Sequence, residues 1–501
     1  MTVTNRWMRL LAVATAVLVC GFVPAGTARA QESYTDIPEL PDGIEGERIE
    51  ALIAYINAND PELVAPFFEQ HCTCEFFEMA PLEMHQEVLA DFHSETGGVD
   101  FHSIREYDPV PPEDRTVVIV EDRKYGGWRG LVIHFTAADE RLIAGLRFAD
   151  ARTPSNVDEP PLTENECMSE LGEFLGLVCA DDAFSGTVLV ANERDILFTH
   201  VCGEASKRFG VPNDMDTRFN LGSMNKMFTA TAIMQLVERG ELSLDDPISG
   251  YVDETWLPRE ITDRVTIHHL LTHTSGLGSY FNEAYDRSSR KLFRAVDDYK
   301  PLVAGDTLAF EPGTEFRYSN TGMLLLGVVI ESVTGGSYFD YISENVYGPA
   351  GMTRTGCYDM DLPVDNLAMG YEKDSESPWI YRNNLYEHVI RGGPAGGGFS
   401  TSPDMHRFAV ALLSGTLVSQ ESLDLMWTTH SDGDYGYGFG VGGSAAGKVV
   451  GHGGGFYGIN ANLDIFVDSG YIAVVMSNYG RAARPVATKI QELLGRVADA
   501  P

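Results

Sequence analysis

Positive charge is what this sequence has least of. Its 501 residues carry 36 Lys plus Arg against 73 Asp plus Glu, a formal net charge of −37. Only 8 of the basic residues are Lys, the other 28 being Arg. A surface this acidic repels phosphate, which excludes nucleic-acid binding through a basic patch. Acid excess with little Lys fits a chain from a salty habitat, and equally an acidic secreted protein kept soluble by its charge. Cysteine is also sparse, 7 in all. Cys72 and Cys74 have no matching second pair downstream, so their spacing selects no zinc site. Long apolar runs are missing after residue 30, so no later segment is long enough for a membrane span. What is present is a globular composition, 44% apolar and 22% charged, long enough for two or three domains.

The first thirty residues read as an address. Arg6 and Arg9 precede an apolar run of 14 residues from Leu10 to Val23, and Ala28-Arg29-Ala30 is an A-x-A cleavage site. A mature chain starting at Gln31 is therefore expected to be exported, periplasmic or secreted, and soluble. Its six remaining cysteines allow 15 full pairings, and buried thiols or one disulfide are expected ahead of a metal site.

Residues 31–46 read as a flexible lead-in. Residues 47–149 form an accessory or binding domain: apolar residues at helical spacing (Ile49, Leu52, Ile53, Ile56, then Leu82, Val88, Leu89, Phe92) come first. Strand-like runs at 117–120, 130–135 and 142–148 follow, so the class is α+β. The pattern resembles the helix-and-curved-sheet cone of the nuclear-transport-factor superfamily. Residues 150–164 read as a linker. From 165 to 498, helices and strands at both ends flank a helical middle. That arrangement predicts an α+β sandwich, an antiparallel sheet covered by terminal helices with a helical region inserted.

Three segments carry chemistry. Ser223-Met224-Asn225-Lys226 opens an apolar helical stretch, placing Lys226 at i+3 on the face of Ser223. A serine hydroxyl needs a base, and a buried Lys is one. Tyr318-Ser319-Asn320 stands 95 residues on, before another apolar helix. A cation beside that Tyr would lower its pKa from about 10 and make it a usable base. His452-Gly453-Gly454-Gly455 lies 134 residues further, where glycines at a strand end let backbone approach a ligand and offer an N–H to an oxyanion.

In this order and with these flanks, the chain resembles the serine β-lactamase and penicillin-binding family, in its class C branch with esterases, D-aminopeptidases and DD-peptidases. The flanks include Thr272-His273-Thr274-Ser275-Gly276-Leu277 and Gly396-Gly397-Gly398-Phe399. The resemblance implies that Ser223 is the acylated nucleophile and that Lys226 and Tyr318 share the base role. It implies that Asn320 bonds substrate or Lys226, and that the N–H groups of Ser223 and Gly455 form the oxyanion hole. His452 takes the place of the third motif's Lys. No metal or other cofactor is implied. His452-Gly453-Gly454 departs from Lys-Thr-Gly, and an imidazole is charged only part of the time near pH 7. Carboxylate recognition should weaken, so a small-molecule ester or neutral amide is the expected substrate. A DD-peptidase or β-lactamase and a sensor that does not turn over are the competing readings, and nothing in the pattern sets an oligomeric state.

His269 and His273 stand at i, i+4, but no Glu occupies the base position of a zinc-protease motif, and His268, His269 and His273 read as capping and packing groups. Trp256, Tyr280, Phe281, Tyr285, Trp379, Tyr381 and Tyr386 lie in loop-like stretches and read as packing or as an acyl-pocket lining.

Overall fold

The computed structural model describes residues 33–110, 115–137, 140–374, 380–431 and 433–498, so the expected signal peptide and Trp379 lie outside the described residues. The chain divides into two compact units, Met1–Pro161 and Leu162–Pro501.

In the first unit a strand β1 (Ser33–Ile37) precedes helices α1 (Ile44–Ala58), α2 (Val64–His71), α3 (Cys74–Glu78) and α4 (Leu82–Thr96). Strands β2 (Val99–Asp108), β3 (Thr116–Asp122), β4 (Trp128–Phe135) and β5 (Ile143–Asp150) follow. They form one antiparallel sheet in the order β1-β2-β3-β4-β5. Ile49, Leu52 and Ile56 of α1 share a core with Val118, Val120, Leu131 and Ile133 of the sheet. The lead-in expected over 31–46 is corrected: residues 33–37 form strand β1, and α1 begins at Ile44. A buried ion pair fixes that strand, Asp36 accepting from Arg105 Nε at 2.9 Å across β1 and β2. The expected linker at 150–164 spans from the end of β5 at Asp150 to the start of the next helix at Glu164. Ser155 N donates to Asp36 Oδ2 at 2.7 Å, and Leu162 N donates to Arg496 O at 2.8 Å. Backbone N–H groups toward its two ends thus find acceptors, one in each unit.

The second unit opens with α5 (Glu164–Ala180), whose Thr163 cap and Glu166 form a reciprocal capping box. Strands β6 (Gly186–Ala191) and β7 (Ile196–Cys202) come next. A long, largely helical stretch contains α6 (Asn225–Glu238), α7 (Asn320–Thr334) and α8 (Ser402–Leu413). Strands β8 (Gly440–Ser444), β9 (Gly447–Phe456), β10 (Ile459–Phe466) and β11 (Ile472–Ser477) and helix α9 (Ala483–Leu494) close the chain. The sheet runs β8-β9-β10-β11-β6-β7, antiparallel throughout, so both ends of the unit build it, as the sequence predicts. Helices α5 and α9 pack on each other, and α9 packs on β10 and β11. α9 buries Val486, Ile490, Leu493 and Leu494 along one stripe. Helix α6 is buried from Asn225 to Leu236 and is enclosed by the inserted helices.

Candidate active site

Ser223 sits on a 3-10 turn, Gly222–Met224, that runs into α6. Gly222 has φ of +49°, and a Cβ there would stand 2.9 Å from Gly455 N, so a side chain is excluded. One turn on, Lys226 is fully buried. Its Nζ lies 3.1 Å from Ser223 Oγ, 2.9 Å from Asn320 Oδ1 and 2.5 Å from Ala395 O. None of these partners is an anion, so burial pushes the Lys226 pKa well below its ordinary value. A neutral amine has two N–H groups and one lone pair. Asn320 Oδ1 and Ala395 O only accept, so they take the two N–H groups. The lone pair is left facing the Ser223 hydroxyl, the arrangement a general base requires.

Tyr318 precedes α7. The cap of that helix is Ser319, whose Oγ accepts from Gly322 N at 2.9 Å. Asn320 is therefore free to turn its amide inward, where Nδ2 donates to Ser279 Oγ at 3.2 Å. Lys226 Nζ lies 4.7 Å from the centre of the Tyr318 ring. The expectation that a neighbouring cation lowers the Tyr318 pKa is corrected. Burial raises it above the ordinary value, and the hydrogen bond with Ser223 offsets only part of the rise. The cation is missing because Lys226 is itself held neutral. Tyr318 is thus a buried phenol hydrogen-bonded with Ser223.

The third segment lies on β9. Strand β8 pairs with β9 only as far as Gly451, so from His452 onward one edge of β9 carries no strand partner. The turn holding Ser223 abuts this edge. A Cβ at Gly454 would fall 1.9 Å from Leu221 O and 3.1 Å from Ser223 N. The backbones of Ser223 and Gly455 are thereby brought side by side, where the oxyanion donors were expected.

His452 is corrected in its chemistry. It is buried, and Nδ1 donates to Gly453 O at 2.5 Å while Nε2 accepts from the Tyr435 hydroxyl at 3.0 Å. Burial takes its pKa down to about 3. The ring is neutral near pH 7 rather than charged part of the time, so it offers no cation to a substrate carboxylate.

The remaining histidines do separate structural work. His269 Nδ1 accepts from Thr266 N in a capping box, and His268 Nδ1 lies 2.8 Å from the Tyr437 hydroxyl. His273 Nδ1 accepts from Ser319 N at 3.2 Å. Of the aromatic residues, Trp256, Tyr280 and Tyr285 are buried packing groups. Phe281 stacks on Phe456, one residue past Gly455, with centroids 5.8 Å apart. Tyr381 pairs with Asp182, and Tyr386 is exposed. Cys179 and Cys202 form a disulfide joining the end of α5 to β7. Cys72, Cys74, Cys167 and Cys357 are free thiols. His200 clusters with both disulfide sulfurs, which in the S–S bond are not the thiolates a metal takes.

Ala395 and Tyr435 had no sequence signal. Ala395 acts through a carbonyl, which every residue has, and Tyr435 is one Tyr among 21. The run Gly396-Gly397-Gly398 beside Ala395 was the available hint, since Gly397 N donates to Gly222 O at 3.0 Å.

A nucleophile at a helix start, a buried amine one turn on, a Tyr from a second helix start and a glycine strand edge recur together in one family, and the beta-lactamase family model matches residues 166–495. The chain belongs to the beta-lactamase family. Its relatives include a penicillin-binding protein of Bacillus subtilis strain 168, 33% identical over 341 residues, 64% of this chain and 74% of the relative. Esterase EstB of Burkholderia gladioli is 34% identical over 226 residues, 43% of this chain and 57% of the relative. Among solved structures, a penicillin-binding protein from Bacillus halodurans superposes with a TM-score of 0.59 at 32% identity. It covers 66% of this chain and 98% of its own. The protein is a serine hydrolase of this family.

Proposed function

We propose that the unit from Leu162 onward hydrolyses esters or neutral amides through an acyl-enzyme on Ser223. The observation that carries the reading is the set of contacts at Lys226, two to obligate acceptors and one to the Ser223 hydroxyl. Neutral Lys226 takes the Oγ proton as Oγ bonds to the acyl carbon. The carbonyl oxygen gains negative charge, and the N–H groups of Ser223 and Gly455 stabilise it. The Tyr318 phenol donates its proton to the leaving group and recovers one from the Lys226 ammonium, which returns the amine to neutrality. Water then attacks the acyl carbon, and the same groups run in reverse.

A neutral His452 supports esters and neutral amides over carboxylate-bearing lactams and acyl-D-Ala-D-Ala peptides. Residues 33–161 we assign an accessory role. Export is proposed from the pattern over residues 1–30, with the Cys179–Cys202 disulfide in keeping with an oxidising compartment. Ser223→Ala tests the core of the proposal. It should abolish hydrolysis of a short-chain p-nitrophenyl ester and labelling by a fluorophosphonate probe. Labelling at the wild-type rate would refute the nucleophile assignment.

A further inference from the structure

His273 carries two local costs that the mechanism above leaves unexplained. Its backbone φ is +58°, in the left-handed region that residues other than Gly adopt uncommonly, Asn, Asp and His more often than the rest. Its Nε2 is buried with no hydrogen-bond partner among the described residues, although most buried polar atoms find one. The whole ring is enclosed.

The left-handed turn lets one residue hold both neighbours of Tyr318. The His273 carbonyl accepts from the Arg317 N–H at 2.9 Å. Its Nδ1 accepts from the Ser319 N–H at 3.2 Å. Between these anchors the His273 ring lies against the Tyr318 ring, centroids 4.3 Å apart, and against Tyr435 at 4.6 Å. Ser319 is tied from its other side, Oγ donating to Gly278 O at 2.7 Å. Nδ1 accepts only while it carries no proton. Lys226, His452, Tyr318 and Tyr435 face the ring, and burial keeps the imidazole neutral.

We infer that His273 is a positioning residue for the reaction: its carbonyl and Nδ1 clamp the backbone on both sides of Tyr318, aiming the phenol at Ser223 and, two residues on, the Asn320 amide at Lys226. The inference rests on the hydrolase reading above. It accounts for both costs, since the left-handed turn makes the double grip and the orphaned Nε2 is the far side of a ring whose Nδ1 is in use.

Two substitutions separate positioning from packing. His273→Asn keeps an acceptor oxygen where Nδ1 stands and tolerates the positive φ, but gives up the ring. His273→Phe keeps a ring against Tyr318 and Tyr435 but has no acceptor. Both are assayed on p-nitrophenyl acetate, with kcat and KM separated, at a temperature where each is fully folded. We expect kcat to fall about threefold in His273→Asn and about thirtyfold in His273→Phe, with KM within about twofold in both. Equal losses, a more active His273→Phe, or losses that follow Tm instead of the acceptor would overturn the positioning role. Should His273→Phe not fold, His273→Leu replaces it with the same expectation. The Ser223→Ala control keeps the two readings apart. Ester turnover that survives Ser223→Ala overturns the hydrolase assignment, whereas Ser223-dependent turnover with the wrong variant order overturns only the role of His273.

Discussion

The Tyr435 hydroxyl donates to Nε2 of His452 over 3.0 Å, and this contact fixes the ring as an acceptor on that side. A proton on Nε2 would have to displace it inside a buried pocket. The folded state therefore refuses a proton until about pH 3, whereas the unfolded chain binds one near pH 6.5. Stability is fully present above pH 6.5 and falls as pH drops from there toward 3. About 3 kcal/mol should be lost between pH 7 and pH 4 from this residue alone. Urea midpoints at pH 7, 5.5 and 4 will show it, and His452→Asn should flatten the acid slope. Parallel slopes would mean that His452 titrates normally in the folded protein.

Lys226→Met tests the base. Met fills similar space without a lone pair of comparable basicity, so kcat should fall by about 10² to 10⁴, the usual range for a lost general base. Ester turnover and fluorophosphonate labelling should fall together, because both need an activated Ser223. Labelling that persists while turnover is lost would place Lys226 in deacylation alone.

The pH profile follows from two opposite shifts. Burial lowers the Lys226 pKa well below its ordinary value, so the neutral, reactive form is already populated far below pH 10. Burial raises the Tyr318 pKa, so its proton stays on above pH 10. The ester rate should rise with pH through the lowered Lys226 pKa and then stay flat to the alkaline limit of stability. A descending limb near pH 10 would show Tyr318 titrating as an ordinary phenol.

Substrate charge is the fourth test. A charged hydrogen bond contributes about 1.5–3 kcal/mol, so a substrate carboxylate left without one should lose roughly ten- to a hundredfold in kcat/KM. A neutral short-acyl ester should therefore outrun a cephalosporin and an acyl-D-Ala-D-Ala peptide measured side by side. Preference for the cephalosporin would show that another cation replaces the missing third-motif Lys.

Much of this site was legible because its parts are local in sequence. Ser223 and Lys226 share one helical turn, and Tyr318 and Asn320 share one helix start, so spacing alone placed each pair. The glycines at 453–455 announced a close backbone approach. Protonation states were not legible, because they depend on enclosure by residues far away in the chain. Tyr318 and His452 were both assigned charge behaviour that burial reverses. Strand β1 escaped notice for a similar reason. Its polar sequence, Ser33 to Ile37, is held by Asp36 reaching Arg105, 69 residues away. His273 read as one of three clustered histidines, and only the backbone turn shows what its Nδ1 serves.

The contact between the Ser223 turn and β9 also decides where this protein tolerates change. At Gly454 any side chain would meet a backbone carbonyl 1.9 Å away, which no neighbouring rotamer can relieve. At Gly455, exposed and one residue on, an added Cβ finds nothing nearer than 3.9 Å. A library aimed at new selectivity should therefore leave residue 454 untouched and vary residue 455. New side chains there would sit at the mouth of the site, beside Phe456, without prying apart the backbone joint beneath the nucleophile.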